Sequence, residues 1–334
     1  MSFKRLETDD IVIAAESVTS PAWTGNVVTL TSFHTSSTQG TSQFYLDVYQ
    51  EATSSANSEV QFSIAFCHKQ GSGSTFLNAA VSGTTPTSIN FSTYRNLING
   101  DEDTDLDFGV EGVPYRPTYF YAINVDRSRY KEKLLPGSFT LKLSASGEIE
   151  LRDSSISEST VRYTDAGRVY RLSKVNNGYT ASAGPSGASG SWGLFLPDIG
   201  TVLLNGPVLD LSNADGGIGL NTLTGSNTSN QNQNKLFAAI SRSASLTVRA
   251  EETLSSNYIF ARVRNSEFNY STNPSYITSS GEIRHNILID DPRSYFTSVG
   301  LYNDNNDLLA VAKLSRPLLK DFRKEALVRI KLDY

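Results

Sequence analysis

Residues 291–334 read DPRSYFTSVGLYNDNNDLLAVAKLSRPLLKDFRKEALVRIKLDY. Two apolar runs flank the polar tetrad Asp304, Asn305, Asn306 and Asp307. Asn and Asp tolerate left-handed backbone and bond their own main chain, so the tetrad predicts a hairpin between two strands. After Ser315-Arg316-Pro317 and a short charged stretch comes the run Leu327, Val328, Arg329, Ile330, Lys331, Leu332. That run is too apolar for a loose tail, and it is expected to be tied into a sheet, its own or a neighbour's.

The same period-two pattern runs upstream. In Gln43–Tyr49, Phe44, Leu46 and Val48 share one face, the signature of a half-buried antiparallel strand. Val27–Phe33, Glu59–Phe66, Tyr119–Val125, Ser138–Leu143, Thr160–Tyr163, Arg168–Leu172, Trp192–Leu196, Thr201–Leu204, Ser245–Ala250, Tyr258–Arg264 and Glu282–Ile289 also read as strands. Clusters of Ser, Thr, Asn and Gly separate them. Helical signal is sparse: a short capped helix from Ser92, a helix turn or buried strand at Asn234–Ile240, and one turn within Ser315–Ala326. Many short strands with such punctuation predict a mainly β chain. It should form two antiparallel sandwich or barrel-like regions with long Ser/Thr/Asn/Gly-rich loops. The expected division is an extended N-terminal arm (1–20), a β domain (21–175), a Gly/Ser-rich loop or hinge (176–191) and a second β domain (192–334).

At 334 residues the chain is long enough to bury a sizeable core without staples. Cys67 is the lone cysteine, so no internal disulfide is possible and a reducing compartment fits. The expectation for Cys67 is a buried small apolar residue. No apolar run reaches 18 residues, and the charged start MSFKRLETDD has no apolar segment behind it. A soluble protein made in the cytoplasm, with no membrane span, is expected. A net charge of −5 argues against a nucleic-acid partner. The charge is uneven, however. Lys313–Tyr334 holds seven basic residues against three acidic ones, a local +4 that leaves −9 on the rest.

Motifs for chemistry are thin. His34, His68 and His285 stand apart, and Cys67 and His68 point to opposite faces of one strand, so no zinc site is expected. Gly71-Ser72-Gly73-Ser74 lacks a nucleophile elbow, and no phosphate-binding loop is present. Asp101, Asp103, Asp105 and Asp107 alternate as calcium ligands might be spaced, yet Leu106 holds the position of the EF-hand glycine and no twelfth-position Glu follows. A solvated loop, or an acidic patch facing a basic partner, is the expectation there. The aromatic clusters around Tyr115–Tyr121 and Phe268–Tyr276 fit core packing first, a subunit interface second and sugar stacking third. No catalytic, metal or cofactor residues are assigned. Arg316, Lys320, Arg323 and Lys324 are the candidate partner-binding residues, as cations between strands with freedom to face a neighbour.

Four long strings add a resemblance. They are residues 299–334, residues 18–39 (VTSPAWTGNVVTLTSFHTSSTQ), residues 127–144 (RSRYKEKLLPGSFTLKLS) and residues 255–285 (SSNYIFARVRNSEFNYSTNPSYITSSGEIRH). These stretches sample nearly the whole chain. They resemble virion structural proteins of large contractile-tailed phages, notably those infecting marine cyanobacteria. The resemblance implies a non-enzymatic baseplate or tail component that joins neighbouring subunits and is oligomeric in the particle. It would be assembled in the host cytoplasm and contact other tail proteins. The alternative it leaves open is a receptor-binding or fibre-attachment module that recognises host surface glycan.

Overall fold

A computed structural model describes residues 3–35, 45–73, 85–109, 114–157, 161–175, 191–223 and 232–333. Strand makes up 43% and helix 18%, which places the chain in the mainly β class. In chain order the strands are β1 (Ile11–Pro21), β2 (Thr29–Leu30), β3 (His34–Thr35), β4 (Tyr45–Tyr49), β5 (Val60–His68) and β6 (Tyr119–Val125). There follow β7 (Lys133–Leu134), β8 (Thr140–Ser144), β9 (Glu148–Asp153), β10 (Arg162–Thr164), β11 (Gly167–Lys174), β12 (Gly193–Leu196) and β13 (Thr201–Asn205). The last are β14 (Leu246–Thr247), β15 (Arg249–Val263), β16 (Arg293–Tyr302), β17 (Leu308–Asp321) and β18 (Ala326–Asp333). The α-helices are α1 (Pro86–Asn99), α2 (Gly206–Asp210), α3 (Asn232–Ser243) and α4 (Ile287–Asp290).

The chain divides into two compact units. One is Val18–Glu252; the other combines Met1–Ser17 with Thr253–Tyr334. This differs from the division expected at 176–191. Residues 176–190 lie outside the described residues, but β11 and β12 on either side of them pair directly, Tyr170 opposite Phe195 and Leu172 opposite Gly193.

The larger unit is built on one long antiparallel sheet with strand order β2-β14-β8-β9-β11-β12-β13-β6-β5-β4-β3, and β10 added against β11. Its two end strands, β2 and β3, are separated by only Thr31, Ser32 and Phe33. Four Cα steps reach at most about 14 Å, so the ends of the sheet must come together. The sheet therefore curls. Inside the curl sits α3, which touches β8 on one side and β4 and β5 on the other.

Alternation follows from that geometry. Phe62, Ile64 and Phe66 of β5, Tyr121 and Ile123 of β6, Phe195 of β12 and Val202 and Leu204 of β13 point into the main core, with Leu236, Ala239 and Ile240 of α3. Their neighbours Ala65, Cys67, Phe120, Ala122, Leu194, Leu196 and Leu203 point the other way. There they meet Phe91 and Ile98 of α1 and the segment carrying Leu106 and Phe108. Strands covered on both faces read as continuous apolar runs, as Val202-Leu203-Leu204 does. Cys67 is buried in this second layer, as expected, and burial pushes its thiol well up.

Helix α1 is twice the length expected from Ser92 onward. Its start is marked by Thr85, which shares a reciprocal capping box with Ser88, and by Pro86 in the first turn. Gly100, at φ +74°, ends it in the left-handed conformation. Residues 234–240 belong to α3, which resolves the helix-or-strand ambiguity in favour of helix.

The smaller unit holds two sheets. β15 begins in the larger unit and, from Thr253 on, runs between β1 and β18. β18 pairs along its length, from Ala326 opposite Val263 to Asp333 opposite Ser256, so the C-terminal run is tied into a sheet. β16 and β17 form the expected hairpin. Its turn is closed by the Asp307 amide donating to Asn303 Oδ1 at 2.8 Å, with Asn306 left-handed at φ +63°. One residue of β16, Thr297, faces four of β17, Leu314–Pro317, because the register jumps from Phe296–Leu318 to Ser298–Lys313. Pro317 sits in that bulge, where its missing N–H removes no ladder bond.

Three expectations gain detail or are corrected. The extended arm 1–20 carries a paired strand, since Ile11–Pro21 forms β1 beside β15. Its Ile11, Val12, Ile13 and Val18 supply a strand, not a tail. Glu282–Ile289 is not a strand. It finds only the isolated bridge Ile277–Ile283 and the short helix α4, so its alternation has no neighbour to pair with. The turn expected within Ser315–Ala326 is present at Phe322–Arg323, after β17, which runs on to Asp321.

Phe62 has no solvent exposure, whereas Tyr163 in the same unit is largely exposed. Phe62→Ala should cost about 3–5 kcal/mol in denaturant unfolding of the larger unit. Tyr163→Ala should stay within about 0.5 kcal/mol of wild type.

Candidate assembly surface

The hairpin of the smaller unit has two unlike faces. Val299, Leu301, Ala312 and Leu314 pack against Ile259, Val328 and Ile330, the three buried residues of this unit's core cluster. By alternation Gly300 and Val311, which are paired across the strands, face away. Val311 is 57% exposed and Leu309 68%. A Cβ on Gly300 would lie 2.9 Å from the Tyr302 ring, so glycine lets that ring lie close over the strand. Phe3 meets Tyr302 edge-on at 5.2 Å between ring centres. The outer face is thus apolar at Gly300, Tyr302 and Val311, with the polar pair Ser298 and Lys313 beside them.

β1 adds to it. Glu16 accepts from the Tyr258 hydroxyl and from Lys331 Nζ, the latter at 2.7 Å. Tyr258 and Lys331 are opposite each other on β15 and β18 and alternate with the core residues Ile259 and Ile330. Glu16 therefore lies on the outer side of the sheet, and Ile11 and Ile13 on the side of the core. Ile13 is nonetheless 72% exposed. The core side of this sheet is covered over β15 and β18 but open over β1.

The bond from Lys331 holds the Glu16 carboxyl below its ordinary value, and Glu16 raises Lys331 in turn. Lys331 also reaches Asp333 at 3.2 Å, and Ser256 donates to Asp333 at 2.7 Å. One ionic cluster thereby joins β1, β15 and β18.

The four cations expected to face a partner separate into two kinds. Arg316, Arg323 and Lys324 are exposed. Arg316 lies in the bulge of β17 and the other two in the turn that follows. Lys320 is fully buried. Its ammonium donates to the carbonyls of Asn265 (3.0 Å) and Asp321 (2.8 Å) and to Asn269 Oδ1 (2.7 Å). Desolvation pulls its pKa below the ordinary lysine value, opposed by Asp321. Lys320 ties the loop after β15 to the end of β17 and is unavailable to a partner.

The other candidates for chemistry lie in the larger unit and are accounted for locally. Asp101 Oδ1 accepts from the amides of Asp103 and Thr104, and Asp107 Oδ1 from those of Gly109 and Tyr115. Asp105 pairs with Lys69 at 2.6 Å. These carboxylates serve separate partners, and among the described residues no three His, Cys, Asp or Glu side chains are placed to hold a metal. Phe120 and Tyr121 are core, and Tyr119 donates to the half-buried Asp210 at 2.5 Å. Burial raises the Asp210 carboxyl and the Tyr119 hydroxyl. His68 stacks on Tyr119, and burial lowers its pKa. A shallow groove of about 200 Å³ is lined by Arg129, Lys131, Glu251 and Glu252 among others. Its charges are engaged, Arg129 with Glu59 at 2.7 Å and Lys131 with Glu252 at 2.8 Å. No helix among the described residues is long and apolar enough to cross a membrane.

Comparison with protein-family models, curated proteins and solved structures finds no match.

Lys320→Met should destabilise the smaller unit by about 2–3 kcal/mol, because three acceptors lose their charged donor. Arg316→Glu, Arg323→Glu and Lys324→Glu should each stay within about 0.5 kcal/mol. Chemical denaturation followed by hydrogen exchange of β16–β18 separates the two classes.

Proposed function

We propose that this chain is a non-enzymatic structural subunit of a contractile-tailed phage particle, in its tail or baseplate, and that it joins neighbouring subunits through its smaller unit. The observation that carries the reading is the contrast in burial between the units. The larger unit closes its sheet over a continuous core. The smaller one leaves Ile13, Leu309, Val311 and Leu327 in solvent around a core cluster of three buried residues. Large apolar side chains left in solvent on several faces of one unit are candidates for interaction surface. The phage setting rests on the four sequence stretches that resemble such virion proteins.

The mechanism is contact without chemistry. Exposed apolar side chains on the strands supply the adhesion, and the exposed cations Arg316, Arg323 and Lys324 orient the approach. Attraction through exposed charges is screened by salt, so it acts on the rate of association more than on the final contact.

Arg316→Glu, Arg323→Glu and Lys324→Glu combined should slow incorporation into particles by tenfold or more at low salt. The unfolding midpoint should hardly move, and raising the salt should narrow the difference. Particle proteomics after complementation of a deletion strain is the measurement. Wild-type chain should be a stoichiometric component of purified particles. Its absence from them would contradict the reading. Specific capture of host glycan by the isolated chain, with no binding to other particle proteins, would favour receptor recognition instead.

A further inference from the structure

We infer that the chain makes a covalent cross-link of its own, an amide bond from Lys320 Nζ to Asn269 Cγ inside the smaller unit. The inference stands apart from the assembly reading.

Lys320 is a buried cation with no ion-pair partner among the described residues. Its side chain has no solvent exposure. Its ammonium meets only neutral oxygens, the carbonyls of Asn265 and Asp321 and Asn269 Oδ1. The carboxylates whose field reaches it are those of Asp321, Glu267 and Glu325. Each is engaged elsewhere. Asp321 accepts from the Arg323 amide at 2.9 Å, and Glu325 pairs with Arg262 at 2.8 Å. Glu267 pairs with Lys4 at 3.2 Å and accepts from the Arg264 amide at 2.9 Å. A buried ammonium without a counter-ion is costly, and conversion to an amide removes the charge. Burial also draws the amine's pKa below the ordinary lysine value, against the field of these carboxylates. That frees the lone pair a nucleophile needs.

The geometry brings this amine to one carbon. Asn269 Oδ1 lies 2.7 Å from Nζ. A carbonyl carbon is about 1.23 Å from its oxygen, so Nζ is within about 4 Å of Cγ. Groups poised to react sit about 3–3.5 Å apart. The amide is held in one orientation, because Asn269 Nδ2 donates to the Asn265 carbonyl at 2.7 Å. The same carbonyl accepts from Lys320 Nζ at 3.0 Å. One oxygen thus holds the attacking and the leaving nitrogen side by side. The residue before Asn269 is anchored too. Phe268 is left-handed at φ +53°, and its carbonyl accepts from Ser294, which pairs with Lys320 across β16 and β17.

In the step, the Nζ lone pair forms the bond to Cγ and the Cγ–Nδ2 bond breaks. One proton of the neutral amine passes to Nδ2, which leaves as ammonia. Nothing is oxidised or reduced, and no co-reactant is needed. The product closes a ring from Asn269 to Lys320 that holds all of β16 and nearly all of β17. Closing a long loop restricts the unfolded chain, which suits a unit with so small a core.

The test is the mass of the purified full-length chain. Wild type should weigh about 17 Da less than its sequence, the mass of one ammonia. Proteolysis should release a branched peptide that fragmentation assigns to Lys320 joined to Asn269. Lys320→Arg keeps a cation in place but offers no amine to acylate, and Asn269→Ala removes the acyl carbon. Each variant should show its full sequence mass and no branched peptide. The decisive reading is on wild type, so a variant that fails to fold leaves the test intact. A folded wild-type chain at full sequence mass overturns the inference. So does a loss of ammonia that maps to another asparagine, or one that persists in Lys320→Arg.

Discussion

Three residues, Thr31–Phe33, join the two ends of the long sheet, and this short tether decides how the larger unit packs. A sheet whose ends must lie within about 14 Å has to curl, and a curled sheet has an inside. That inside is filled by α3 and by every second residue of the strands. Once the interior is set, the alternate residues of β5, β6, β12 and β13 face outward as an apolar layer and need a cover of their own. Helix α1, with Leu106 and Phe108, provides it. Phe120 belongs to one layer and Tyr121 to the other because they are neighbours on one strand.

The smaller unit uses the same alternation with less cover. β15 and β18 send Ile259, Val328 and Ile330 toward the hairpin, and the hairpin answers with Val299, Leu301, Ala312 and Leu314. The pairing of faces stops there. The outer face of the hairpin and the core side of β1 keep their apolar residues in solvent. Polar interactions hold the layout in place: the cluster of Glu16, Tyr258, Lys331 and Asp333 joins three strands, and Lys320 pins a loop to the end of β17. Polar ties thus keep the strands ordered where apolar burial is incomplete.

How much of this was legible follows the range of each signal. Local signals read well. The Asn/Asp tetrad announced its hairpin, and the run after Ala326 announced a paired strand. Cys67 read correctly because its apolar neighbours fix its setting. Thr85, Pro86, Ser88 and Gly100 also spelled out both ends of α1, though the helix was read only from Ser92. Non-local facts were hidden. Nothing near residues 176–190 says that β11 and β12 pair, and nothing in Ile11–Pro21 says that its partner lies more than two hundred residues away. Lys320 is the sharpest case. In sequence it is one cation among several, and only the acceptors Asn265 and Asn269, over fifty residues distant, turn it into a buried tie. Arg316, Arg323 and Lys324 kept the exposure expected of them because nothing folds over the bulge and the turn that hold them.

The central claim is that the smaller unit is left incomplete by its own sequence and is completed by a neighbour. Hydrogen exchange of backbone amides, compared between the free chain at low concentration and the assembled chain, tests it most directly. In the free chain, β16 and β17 should exchange well before β5, β6 and β13 of the larger unit, since few buried contacts oppose their opening. On assembly the hairpin and β1 should gain strong protection while the larger unit stays unchanged. Equal protection of both units in the free monomer, with no change in β1, β16 or β17 on assembly, would contradict the account.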